Sequence, residues 1–228
     1  MTAVEHYEKY FDVYRDQARG ILQCSRSADD METLNDICYY ADIKPGLKVL
    51  DCGGGLGLPA AYIADHGCRV DSLNITPMQL AYARKHFGNS VNFIELSFDQ
   101  MEDLPGKYDR LVFLESLGHS ADLESLMKQA YDKLVDGGLL YIKHPTVAGN
   151  EQHFADLEKF YCYKFYTPLA VVEAAEKAGF SIKEVSSIRY RNYDVTVPMA
   201  FIEQTKSERG AEIDSTSLDT KRFIFTKG

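Results

Sequence analysis

Apolar residues along this chain alternate between two rhythms. Short apolar runs read as strands: "LKVLDC" from Leu47, "CRVDSLNI" from Cys68, "VNFIELSF" from Val91 and "YDRLVFLES" from Tyr108. Three more follow at "LLYIKHP" from Leu139, "SIKEVSSIRY" from Ser181 and "KRFIFTKG" from Lys221. Between them, "GLPAAYIADHG", "PMQLAYARKHFG", "ADLESLMKQAYDKLVDGG" and "TPLAVVEAAEKAGF" carry apolar residues at helical spacing, with glycines as stops. Thr76 and Pro77 suit a helix cap and first turn.

Alternation of this kind predicts an α/β fold, a doubly wound and mainly parallel sheet with helices on both faces. Such sheets hold ligands beyond the carboxyl ends of their strands. The whole chain, 1–228, reads as one domain: an N-terminal helical cover over 1–41, one half over 42–143 and a second over 144–228. Two stretches break the alternation, the aromatic 144–167 and the segment 191–220. Both are candidate covers for the crevice, together with the N-terminal helices.

Composition narrows the partners. A formal net charge of −9 argues against binding to nucleic acid, which needs a basic footprint. Five cysteines, an odd number with no CxxC pair, read as reduced thiols of a cytoplasmic protein. No apolar run approaches the ~18 residues of a membrane span.

The densest signal is "DCGGGLG", where Asp51 closes a strand and glycines stand at 53, 54, 55 and 57. A dinucleotide fingerprint needs GxGxxG; here the third glycine of the alternating set comes two residues after the second. An acid at the strand end would crowd a pyrophosphate but suits an ammonium. That combination points to S-adenosylmethionine.

"VLDCGGGLG" resembles motif I of the class I S-adenosylmethionine-dependent methyltransferases. "YDRLVFLESLGH", "LVDGGLLYI" and "AAEKAGF" continue the resemblance in order, over roughly Asp42 to Phe180. The resemblance implies a Rossmann-like sheet of seven strands, the last antiparallel. It implies that Gly53, Gly55 and Gly57 admit the methionine part of the cofactor, with Asp51 nearby. The acid that the family usually has after its second strand is Asn74 here, followed by Ile75. "LNITPMQ" is similar to a form found in cyclopropane-fatty-acid synthases, sarcosine or dimethylglycine methyltransferases and geranyl diphosphate C-methyltransferases, which sets Gln79 near the ribose or adenine. Asp99, or Gln100 if the register slips, would meet the adenine amine, with Met101 as a packing candidate.

For the acceptor, Glu115 and His119 stand at the crevice mouth, and Glu115 counts among the cofactor-side candidates as well. Gly118 takes the place of a second acid found in some relatives. Methyl transfer to an alkene needs aromatic shielding and a base such as Glu115; Tyr161, Tyr163, Phe165 and Tyr166 are candidate faces. Transfer to an amine or hydroxyl needs an orienting or proton-accepting group, for which His119 is the candidate. Lys164, Arg189 and Arg191 are candidate cations for a diphosphate. No metal site is expected, since His144 and His153 are isolated. The expectation is methyl transfer to a small molecule, leaning to C-methylation of an isoprenoid-like prenyl diphosphate. The alternatives are N- or O-methylation and a non-catalytic cofactor-binding partner subunit.

Overall fold

The structure, a computed structural model, describes residues 1–17, 29–120, 122–148, 154–189 and 218–228. Of the expected cover over 191–220, residues 191–217 with Arg191 lie outside these residues, as does His153, and residues 218–220 belong to a strand.

Seven strands form one sheet in the order β3-β2-β1-β4-β5-β7-β6. They are β1 (Lys48–Cys52), β2 (Arg69–Asn74), β3 (Val91–Glu95), β4 (Tyr108–Leu114), β5 (Leu134–Val147), β6 (Ser181–Ser187) and β7 (Leu218–Thr226). The pairings from β3 through β5 are parallel, whereas β7 runs antiparallel to both β5 and β6. The antiparallel last strand expected from the family likeness is present, and it is threaded between two others.

The strands read as continuous apolar runs because both faces are covered. Successive side chains point to opposite faces. Leu50, Leu111, Phe113, Leu140, Ile142, Phe223 and Phe225 pack on one side, with Leu126, Met127 and Ala130 of helix α5 (Leu123–Lys133) and Val171, Ala174 and Ala175 of α7 (Pro168–Ala178). Val49, Val112, Tyr141 and Ile224 pack on the other, against α2 (Asp30–Tyr40), α3 (Leu58–Asp65) and α4 (Pro77–Phe87). A smaller cluster joins Tyr10, Phe11, Val13 and Tyr14, just after α1 (Ala3–Lys9), to Leu56 of the glycine loop and to Phe160 of α6 (Ala155–Tyr161). This cluster sets the first part of the N-terminal segment against the glycine loop and α6.

Two boundaries differ from the pattern-based reading. The helix expected to reach the glycines at 137–138 stops at Lys133, because the next residues join the sheet: Gly137 N–H donates to Lys227 O and Lys227 N–H to Gly138 O. Strand β5 also runs on through Pro145 to Val147, so the first four residues of the expected aromatic cover are sheet. Pro145 is tolerated because the β4 pairing ends at Lys143, leaving β5 with only β7 beside it.

Candidate cofactor and acceptor site

The loops leaving β1, β2 and β4 enclose a cleft with Asp51 at its base. Asp51 is 1% exposed, and Ser72 Oγ donates to its Oδ2 at 2.8 Å. Burial pushes its carboxyl up to about 6, and the Ser72 bond only partly opposes this. A cation placed against Asp51 would restore the charged form.

The four glycines have different causes. A Cβ on Gly54 would lie 1.9 Å from Ser72 Oγ, and one on Gly57 would lie 2.8 Å from the Phe93 ring. A Cβ on Gly53 would meet Ser116 Cβ at 2.5 Å. These residues are small so that the loop can pack against its own protein. Only Gly55 has nothing within 4 Å of its missing side chain, with φ +51°, and it lines the cleft. The expected ligand contact through all three of Gly53, Gly55 and Gly57 must be revised for Gly57, which starts α3 and does not line the cleft.

At the end of β2, Asn74 is a strut. Its Nδ2 donates to Gly55 O at 2.9 Å and to Gln79 Oε1 at 3.0 Å, while its Oδ1 accepts from Thr76 N–H at 2.9 Å. Both amide hydrogens are spent on the protein, so Asn74 shapes the loop and has only acceptor capacity to spare. Gln79 is buried on the cleft wall, its oxygen occupied by Asn74 and its NH2 group the pair's remaining donor. Ile75 lines the cleft beside them. Thr76 stands at the cap position of α4, but its side chain caps nothing.

After β3, Ser97 and Phe98 line the cleft; Asp99 and Gln100 do not. The Asp99 carboxylate accepts from Ser120 Oγ at 2.6 Å, Gln100 is exposed, and Met101 is fully buried in the core. Phe98 carries no polar signal, so a search for an adenine-binding acid passes over it.

The β4 end supplies the acceptor-side groups. Glu115 lines the cleft with left-handed backbone, φ +55°, held by its N–H donating to Lys143 O at 2.8 Å. The Ser116 hydroxyl donates to Cys52 O, tying the β4 loop to β1. His119 Nδ1 lies 2.8 Å from Cys162 O and Nε2 lies 2.9 Å from Tyr7 Oη. A carbonyl only accepts, so Nδ1 bears the proton, and in the neutral ring Nε2 accepts from the Tyr7 hydroxyl. Burial holds the imidazole below its ordinary value, partly offset by the Cys162 bond, which keeps it neutral. Tyr7 was not legible as a site residue; one tyrosine in an N-terminal helix looks like packing.

The aromatic segment after α6 sits one layer out. Tyr163 packs edge-on against His119 with ring centroids 4.8 Å apart, and its hydroxyl meets His144 Nδ1 at 2.6 Å. Tyr161 packs on Phe160 and His6, and Tyr166 lies against His144. Lys164 reaches over the Tyr166 ring, and Arg189 pairs with Asp219 at 2.9 Å. None of these five candidates lines the cleft. Gly118 is explained here: a Cβ would fall 2.4 Å from Lys164 O and 2.5 Å from the Tyr163 ring, so an acid cannot stand there while this segment docks. Among the described residues there is no group of acids, histidines and cysteines able to hold a metal, and no helix long and apolar enough to cross a membrane.

A buried carboxylate, an open glycine backbone, a pair of amides and the Phe98 ring form a donor set that fits an amino-acid nucleoside such as S-adenosylmethionine. Residues 26–185 match the family described as "Methyltransferase domain". The chain belongs to that family, and S-adenosylmethionine is its cofactor. It is 26% identical to a ubiquinone biosynthesis O-methyltransferase of Pseudomonas aeruginosa over 184 residues, 72% of this chain and 79% of the relative. It is also 26% identical to a sterol 24-C-methyltransferase of Yarrowia lipolytica over 162 residues, 64% of this chain but only 42% of that protein. A cyclopropane synthase of Mycobacterium tuberculosis shares the fold with a TM-score of 0.77 at 18% identity, over 99% of this chain and 97% of the other.

Proposed function

We propose that the protein transfers the methyl group of S-adenosylmethionine to a hydroxyl or amine of a small metabolite, with Tyr7 and His119 receiving the proton. The observation that carries this is the Tyr7 hydroxyl 2.9 Å from His119 Nε2 on the cleft wall. Bound cofactor supplies an electrophilic methyl on a sulfonium. Asp51 holds its ammonium, Gly55 and Gln79 bound its middle, and Phe98 packs on its base. The reacting hydroxyl or amine gives its proton to Tyr7 Oη as Tyr7 passes its own to His119 Nε2. The Nδ1–H bond to the Cys162 carbonyl holds the ring in the tautomer that can accept. Glu115 orients the acceptor from the β4 side, and the N-terminal segment excludes water. Positioning supplies most of the acceleration.

A second reading, C-methylation of an isoprenoid-like alkene, is favoured by one observation: Glu115 lines the cleft with a side chain only 7% exposed, where a base would be needed. Of the cations wanted for a diphosphate, the described ones, Lys164 and Arg189, stand outside the lining.

The test is incubation with methyl-labelled S-adenosylmethionine and three acceptor panels: phenols and alcohols, amines, and prenyl diphosphates with Mg²⁺. Label in either of the first two panels, reduced in Tyr7→Phe, supports the proposal. Label confined to prenyl diphosphates, indifferent to Tyr7→Phe, overturns it.

A further inference from the structure

Directly behind Glu115 lies a cation that the chemistry above does not use. Lys143 on β5 is fully buried, and its Nζ stands 3.8 Å from Glu115 Oε1, itself only 7% exposed. A buried ammonium is costly unless an opposite charge accompanies it. Its cross-strand partner in β7 makes matters worse, because Lys143 pairs with Arg222. Like charges directly opposite on antiparallel strands repel.

Each cation is met by acids or rings of its own. Arg222 forms a fork with Asp36 of α2, at 2.6 and 2.8 Å, lies 3.6 Å from Glu184 of β6 and stacks on Tyr40 at 3.3 Å. Lys143 stands against Glu115. Among the described residues, the ionisable groups facing Glu115 are Lys143 and Tyr141 from β5, with Arg222 and Asp36 beyond them. Across the cleft are Asp51 from β1, His119 from the β4 loop, and Tyr7 and Tyr14 from the N-terminal segment.

We propose that Lys143 is a positioning residue that fixes the charge and orientation of the Glu115 carboxylate in the cleft. Touching neither cofactor nor acceptor, it acts from the sheet through Glu115. The left-handed backbone at Glu115, anchored on the Lys143 carbonyl, sets the direction in which that carboxylate leaves the strand. Lys143 thus holds Glu115 twice, by main chain and by charge. The inference rests on the acceptor-orienting role given to Glu115, but its test needs no acceptor.

The experiment follows the carboxyl carbon of Glu115 by NMR in protein labelled at glutamate, the signal being assigned by its loss in Glu115→Gln. In the wild type and in Lys143→Arg the signal stays that of a carboxylate from about pH 8 to about pH 5. In Lys143→Met the titration moves upward by about one pH unit or more, while affinity for S-adenosylhomocysteine at pH 8 stays within about threefold of wild type. A Glu115 signal that does not move in folded Lys143→Met overturns the proposal. If Lys143→Met does not fold, the double variant Lys143→Met/Glu115→Gln decides: recovered folding supports the pairing, and no recovery overturns it. Failure of every acceptor panel would leave this titration standing, so the two readings fail separately.

Discussion

The Tyr7 hydroxyl and His119 Nε2 meet at 2.9 Å although 112 positions separate them in the chain. Because Nδ1 is committed to the Cys162 carbonyl, nitrogen NMR of labelled histidine should show His119 as the Nδ1-protonated tautomer at pH 7.5. An Nε2-protonated ring would remove the proton path. Tyr7→Phe should lower turnover on an identified acceptor by about tenfold or more, and His119→Ala by about a hundredfold or more, with unchanged affinity for S-adenosylhomocysteine.

Asp51 should trade stability for binding. Its folded carboxyl titrates at about 6, above the ordinary 3.8. The folded state therefore holds this proton more tightly than the unfolded chain. That contribution is fully present below about pH 4 and lost as pH rises through about 6. At pH 8 the protein bears the cost of a buried carboxylate, so Asp51→Asn should gain about 1–3 kcal/mol in urea denaturation. The same variant should lose most of its affinity for S-adenosylhomocysteine by calorimetry. A variant both less stable and still able to bind would refute this assignment.

Gly55 and Gly57 should respond differently to alanine. At Gly57 a Cβ meets Phe93 and Ala83 and φ is +90°, so Gly57→Ala should cost about 2–5 kcal/mol of stability, clash and backbone together. At Gly55 nothing stands within 4 Å, and only the positive φ is penalised, by about 1–2 kcal/mol. Its methyl would project into the cofactor's space, so Gly55→Ala should weaken binding more than Gly57→Ala does. Equal losses of affinity in matched titrations would count against a ligand at Gly55.

His144 should shape the acid limb of stability. It is fully buried, accepts from Tyr166 N–H through Nε2, and its imidazole is pushed down to about 3 by burial. A histidine depressed in the folded state stabilises above its ordinary value of 6.5, and this is lost as pH falls toward 3. Across that window His144 should add about 1.4 kcal/mol per pH unit to the slope. Denaturant melts of wild type and His144→Gln should converge as pH falls; parallel curves would show that the ring is not the responsible group.

The strands and helices were legible because both sheet faces are covered, leaving uninterrupted apolar runs between glycine and proline stops. Asp51, Gln79, Glu115 and His119, which line the cleft, were singled out because loops at strand ends are where an α/β sheet presents its ligands. Tyr7 and Phe98 were missed because an aromatic facing a cleft has the same pattern as one facing a core. The aromatic run at 161–166, read as a set of candidate faces for the acceptor, places Tyr163 and Tyr166 against His119 and His144, one layer outside the cleft lining. That Asn74 is a strut was not legible, because the chain cannot show that its hydrogens are donated to Gly55 and Gln79.

The position of β7 between β5 and β6 has a consequence for synthesis. The ribosome delivers β6 well before β7, yet β6 has no hydrogen-bonding place in the sheet until β7 lies beside β5. During that interval β5 is an unpaired border and β6 a strand without a neighbour, the condition under which nascent chains join one another. Substitutions in β7 should therefore reduce yield in the cell, by exposing this interval to chaperones and proteases, more than they weaken the finished cofactor cleft.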